Sequence, residues 1–274
     1  MIDVTRAYGL DFMFPALDSF IGARLRDAGE FARPEMEIIA RLLRASPGTY
    51  LDVGANIGSI ALPVAAFNRN AKVIAIEANR HLAGLLAANA LNNQLANVEV
   101  HHAAVGACAG LVEFPAPPLD RPMNFGSLGI GVKVDNMETV EQVRMCCLDD
   151  VAPDDTYVVK LDVEGFEPQV IEGAGALIDS RRASWVIEHK GDAKAHAVTG
   201  RFLDAGYAVY WLFAPFVTRK PHKPFSPSAN VTGDINILAM PSGEPPMPMT
   251  RLKAPNEAKP SGLEGFPYLK SYGF

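Results

Sequence analysis

Polar residues able to do chemistry gather at five places in the chain, and the first two are spaced like halves of one site. Tyr50-Leu51-Asp52-Val53-Gly54-Ala55-Asn56-Ile57-Gly58 reads as a short buried strand, a tight turn and a helix start. Gly54 and Gly58 let the backbone turn sharply and let a ligand lie against it. In Ala75-Ile76-Glu77-Ala78-Asn79, Glu77 follows Gly58 by 19 positions. That is near the spacing at which a second-strand carboxylate meets the ribose hydroxyls of a bound nucleoside. The turn is G-A-N-I-G, not the G-x-G-x-x-G that cradles a pyrophosphate, and Asp52 stands just before it. A cationic ligand without phosphate suits it better than a dinucleotide, which disfavours a nicotinamide oxidoreductase. The other places are Ala103 to Gly106, Asp162 to Glu167 and Glu188-His189. Asp162 and Glu164, followed by Gly165, are costly near a core without a partner or a task.

These residues need elements to hold them. Strands are expected near 50–53, 73–76, 97–101, 157–161 and 184–188, and helices over 58–67, 79–93, 168–178 and 193–205. That alternation predicts an α/β fold, a doubly wound parallel sheet with helices on both faces and right-handed crossovers. Ligands of such sheets sit outside the carboxyl ends of the strands, where all five polar groups fall. Two further apolar runs, Tyr207 to Phe213 and Asp234 to Met240, are joined by the Pro-rich Pro215 to Gly233 and suggest an antiparallel pair at the sheet edge.

Three segments flank or interrupt this domain of residues 49–240. Residues 1–48 read as an N-terminal helical cap, with Leu17, Phe20, Ile21 and Leu25 at helical spacing and a second helix from Pro34 that Ser46-Pro47-Gly48 stops. Residues 111–147 are too long for a simple connection and form the substrate-loop candidate, with Asn124, Phe125 and Ser127 at its centre. Residues 241–274 are a Pro-rich tail ending in Phe266, Tyr268, Tyr272 and Phe274.

The net charge of −6 comes without any run of Lys and Arg, so neither nucleic acid nor an anionic membrane is an expected partner. No apolar stretch reaches the roughly 18 residues of a membrane span, and no secretory leader is read at the N-terminus. Cys108, Cys146 and Cys147 form no C-x-x-C, and adjacent cysteines on a strand point to opposite faces. A reducing cytoplasm is the expected location.

The series Asp52-Val53-Gly54-Ala55-Asn56-Ile57-Gly58, Lys160-Leu161-Asp162-Val163-Glu164-Gly165-Phe166-Glu167, Val170-Ile171-Glu172-Gly173-Ala174 and Val186-Ile187-Glu188 resembles the FkbM-type S-adenosylmethionine-dependent methyltransferases, from about residue 33 to 240. The resemblance implies the Rossmann-like class I methyltransferase fold, a seven-stranded, mostly parallel sheet with an antiparallel last strand. It implies S-adenosylmethionine as cofactor and methylation of a hydroxyl on a small molecule or sugar in a biosynthetic pathway. Carried over by position, Gly54, Asn56 and Gly58 pass under the methionine part, Asp52 holds its amino group and Asp162 closes that end. Glu77 takes both ribose hydroxyls, Ala78 and Asn79 lie beside the adenine, and Ala103 and Ala104 border its edge. Ala78 stands where the family usually has proline.

For such a reaction the protein must align acceptor, methyl carbon and sulfur, and take a proton from the acceptor. Glu164 or Glu188 is the preferred base, followed by His189 and Lys160; a strand-end histidine and an ion-paired lysine are the plain alternatives for the last two. No metal is expected: Lys190 beside Glu188-His189 argues against a Mg²⁺ cage, and Asp162, Glu164 and His189 have no diagnostic ligand spacing. Competing readings are a non-catalytic cofactor-binding module assisting a complex and an N-methyltransferase. A homodimer is compatible with everything in the sequence.

Overall fold

In the computed structural model, which describes residues 1–45, 48–131, 139–226 and 230–274, the chain begins with a hairpin and not with a helix. Strands β1 (Ile2–Ala7) and β2 (Leu10–Pro15) pair antiparallel, with Ile2 opposite Pro15 and Ala7 opposite Leu10. Tyr8 and Gly9, at φ 53° and 79°, make the turn. Leu10, Phe12 and Phe14 alternate inward, the period of a strand. Leu17 is exposed, so the helical spacing read from it begins only with α1 (Ile21–Ala28). Helix α2 (Arg33–Ala45) follows with Pro34 in its first turn, as expected; the stop at Ser46-Pro47 lies outside the described residues.

The alternation then appears as β3 (Thr49–Val53), α3 (Ala61–Phe67), β4 (Lys72–Glu77), α4 (Arg80–Asn92) and β5 (Val98–His102). A second, three-stranded sheet interrupts it: β6 (Ala104–Val105), β7 (Gly110–Pro115) and β8 (Val140–Cys146), in the order β6-β8-β7. The long insertion thus begins and ends in strands of this sheet, with an irregular segment between them; its residues 132–138 lie outside the described ones. After α5 (Leu148–Val151) come β9 (Thr156–Leu161), α6 (Glu167–Glu172), α7 (Gly175–Asp179), β10 (Ser184–Glu188) and α8 (Ala193–Asp204). The single helix expected over 168–178 is broken at Gly173-Ala174, where a side chain on Gly173 would collide with the Gly106 carbonyl.

Strands β11 (Ala208–Pro215), β12 (Gly233–Met240) and β13 (Thr250–Leu252) complete the main sheet, ordered β13-β11-β12-β10-β9-β3-β4-β5. β10-β9-β3-β4-β5 are mutually parallel, and β12 runs antiparallel between β10 and β11. This is the class I methyltransferase sheet with one addition, the tail strand β13 on β11. Every residue of β3 is buried, as befits a strand covered on both faces. Between β10 and α8 the ring of Phe202 packs tilted against Trp185 and edge to face with Tyr207, each burial contributing a few kcal/mol. The tail docks: the Tyr268 hydroxyl closes on the backbone of Phe213 at 2.7 Å, and Tyr272 donates to Glu37 at 2.9 Å. Among the described residues no helix is long and apolar enough to cross a membrane.

Candidate functional site

At the carboxyl ends of β3, β4, β9 and β10 the chain leaves the sheet and opens a cleft. Its floor is the turn after β3. Gly54 takes φ 83°, and a Cβ there would collide with the Asp162 carbonyl, so only glycine lets the exits of β3 and β9 lie together. Asn56 also adopts a left-handed φ of 53° and points its N–H at the Glu77 carboxylate, 2.8 Å away. The Asn79 N–H donates to the other Glu77 oxygen at 2.7 Å. Two fixed donors orient Glu77, while burial pushes its pKa up to about 7.

Asp52 is buried on β3, and neither of its oxygens makes a hydrogen bond; Lys160 Nζ is its nearest cation, at 3.8 Å. Lys160 also meets Asp162 at 3.3 Å. Burial favours a neutral lysine, but Asp162, Asp52 and Glu35 hold this one charged, so it takes no proton and is no base. Past β9, Glu167 accepts the N–H groups of Val163 and Gly165 and pins the loop that presents Glu164, itself at φ 53°. Lys190 reaches Glu164 at 2.7 Å and Glu188 at 3.2 Å. The Glu188 pKa rises to about 9 through burial first and then through Asp162 and Glu164.

The walls come from the ends of the chain and from the insertion. Phe20, Ile21 and Phe31 come from the N-terminal segment, Phe125, Leu128 and Ile130 from the insertion, and Ala78, Ala103 and Ala104 also line the cleft. Phe125 is buried and Asn124 caps its turn through the Gly126 N–H. The loop is tied to the N-terminal segment by Ser19 N–H to Met123 O at 3.0 Å.

Four residues expected at the site do not line the cleft. His189 follows Glu188 along the sheet ladder and therefore faces the opposite side, buried beside Trp211 and His196 with ring centroids 4.9 and 5.8 Å away. Asn79 turns inward to cap α4, accepting from the N–H groups of His81 and Leu82. Gly58, at φ 87°, lies under Leu62 and Leu86, where it permits packing and touches no ligand space. Ser127 is exposed and bonded to the Asn124 carbonyl. Conversely, two carboxylates unnoticed in the sequence line the cleft, Glu35 of α2 and Asp234 of β12. Burial raises their pKa values to about 8 and about 7. An acid behind Pro34 in a first helical turn is ordinary, and only the tertiary fold reveals where it points.

The described residues lining the cleft include seven carboxylates and one lysine. The arrangement suits a ligand with a cation at one end and vicinal hydroxyls at the other. Among the described residues no group of three His, Cys, Asp or Glu is close enough to hold a metal ion.

The family model described as Methyltransferase FkbM domain matches residues 52–209. No curated protein matches the sequence. Among solved structures, the methyltransferase FkbM from Methylobacillus flagellatus KT is similar at 17% identity over 73% of this chain and 47% of that one, with a TM-score of 0.47. This chain therefore covers about half of that protein's length. The precorrin-6y C5,15-methyltransferase from Geobacter metallireducens GS-15 matches at 18% identity, over 75% and 86%, TM-score 0.46. An S-adenosylmethionine-dependent methyltransferase from Agrobacterium tumefaciens matches at 10%, over 87% and 69%, TM-score 0.49.

Proposed function

The chain belongs to the FkbM methyltransferase family, with S-adenosylmethionine as its methyl donor, and on that premise we propose that it methylates a hydroxyl of a small molecule or sugar. The observation that carries this reading is that one cleft gathers Glu77 and the turn after β3 together with the rings of Phe20, Phe31 and Phe125 and further carboxylates. Its acidity disfavours a polyphosphate such as RNA as acceptor.

S-adenosylmethionine supplies a methyl group already activated on a sulfonium. The chain fits that molecule at three points. Asp52, buried with unsatisfied oxygens, gains a charged partner in the methionine ammonium. The turn Gly54 to Asn56 gives the methionine part a floor without side-chain obstruction. Glu77, already oriented by Asn56 and Asn79, takes the ribose hydroxyls. Glu188 is the base we assign. Its Oε2 meets Lys190 Nζ at 3.2 Å, and the residue lines the cleft. Glu188 would take the hydroxyl proton as the acceptor oxygen receives the methyl group that bound S-adenosylmethionine would supply, its sulfur keeping the electron pair of the broken bond. Glu164, held by Lys190, shares the role of keeping that lysine beside Glu188.

Incubation with methyl-labelled S-adenosylmethionine and separated cell fractions tests the substrate class. Label is expected in a low-molecular-weight fraction; label confined to RNA or protein would overturn the reading.

A further inference from the structure

Beyond the methionine end, five carboxylates face the acceptor space: Glu35, Asp162, Glu164, Glu188 and Asp234. Two lysines compensate them, and each is already shared. Lys160 lies between Asp52 and Asp162, and Lys190 between Glu164 and Glu188. Glu35 and Asp234 are left over. Among the described residues neither makes a hydrogen bond or ion pair, although Glu35 is only 5% exposed and opens into the cleft. Asp234 raises the Glu35 pKa further, while Lys160 acts on Glu35 only at a distance, without an ion pair. Arg24 feels the charge of Asp234 but makes no ion pair with it within 4.0 Å among the described residues; its guanidinium lies over the Phe20 ring at 3.8 Å and donates to the Phe20 carbonyl. A carboxylate kept that deep without a partner is costly unless a ligand supplies one.

We infer that the acceptor carries a protonated amine beside the hydroxyl to be methylated, and that Glu35 and Asp234 hold it. This rests on the methyl-transfer reading of the same cleft. A metal ion would also neutralise the pair, but among the described residues no three His, Cys, Asp or Glu groups converge closely enough to ligate one. An ammonium needs only two or three acceptors at hydrogen-bond distance, and Phe20 and Phe31 exclude water beside it, which strengthens the charge pairing. Both residues lie outside the span matched by the family model, Glu35 before it and Asp234 after it.

The test uses the full chain with S-adenosylmethionine carrying a trideuterated methyl group and a deproteinised metabolite extract. Products are found by their three-deuterium mass offset against an unlabelled control and then treated with an amine-acylating reagent. The expected product gains the acyl mass, and blocking the amine before incubation abolishes its methylation. A labelled product without a reactive amine overturns the inference while leaving methyl transfer intact. No labelled product at all removes the methyl-transfer reading and this inference with it. With the acceptor found, Glu35→Gln and, separately, Asp234→Asn should raise its KM about 10-fold or more, with much smaller changes in kcat and in S-adenosylhomocysteine affinity. Asp234→Asn keeps the test open should Glu35→Gln fold poorly. An unchanged KM in both variants, or an equal loss of cofactor affinity, overturns the assignment.

Discussion

The N–H groups of Asn56 and Asn79 converge on Glu77 at 2.8 and 2.7 Å, which fixes a carboxylate in the cleft wall before any ligand arrives. Charged hydrogen bonds from a prepositioned acceptor are worth more than those of a mobile one. Glu77→Ala is therefore expected to weaken S-adenosylhomocysteine binding by ~2 kcal/mol or more, measured by titration calorimetry. An unchanged affinity would remove the ribose role. Glu188→Gln should leave that affinity near wild type while turnover collapses by roughly 10²-fold or more. The wild-type rate should also climb with pH, because a base acts only when deprotonated and burial raises Glu188 to about 9. The sulfonium and Lys190 pull that value down in the loaded cleft, and the rising limb should vanish in Glu188→Gln. Full activity in the variant would transfer the role to Glu164. The contiguous turn and its partner acids, Asp52, Gly54, Asn56, Glu77 and Asp162, were legible in the sequence because local spacing fixes them at strand ends. Glu35 and Asp234 were not: they reach the cleft only through contacts spanning the whole chain.

At the scale of elements, the least legible part is the one that shapes the mouth of the cleft. The hairpin β1-β2 turns at Tyr8-Gly9, which lacks the Asn-Gly or Asp-Gly signature, and the helical spacing of Phe20, Ile21 and Leu25 drew Leu17 and the preceding residues into the same reading. The hairpin is held by α4 through two asparagines. Asn89 accepts from Met13 N–H at 2.6 Å and donates to the carbonyls of Met13 and Ile57, and Asn93 makes the same exchange with Asp11. Side-chain amides thus imitate a neighbouring strand along β2. Asn89 is fully buried, so Asn89→Ala would leave the Met13 and Ile57 groups unpaired inside the protein. The expected loss is about 2–4 kcal/mol in urea denaturation. Asn93→Ala, nearer the surface, should lose less. Equal and small effects would mean that β2 is held by its apolar face alone. By contrast, the strands of the main sheet other than the tail strand β13 lay within a residue or two of their expected places, since continuous apolar runs between glycine turns leave little choice.

The whole molecule carries the cost of this acidity. Glu77 and Asp234 are raised to about 7, Glu35 to about 8 and Glu188 to about 9, all mainly by burial, from ordinary values of 4.5 for glutamate and 3.8 for aspartate. In the unfolded chain these groups release their protons near the ordinary values; in the folded one they keep them longer. Their contribution to stability is therefore complete below about pH 4 and is lost as pH rises through 7 to 9. The cofactor-free protein should melt roughly 5–10 °C lower at pH 9 than at pH 6, followed by scanning calorimetry. Saturating S-adenosylmethionine should flatten that slope, because a bound cation replaces the protons as counter-charge. Glu35→Gln should flatten it too, by removing one group that must ionise in a buried place. A melting temperature indifferent to pH in this range would mean that the carboxylates are already ionised together at pH 6. In that case their mutual repulsion would have to be absorbed by Lys160 and Lys190 alone, and the cleft would need no cation from its ligands.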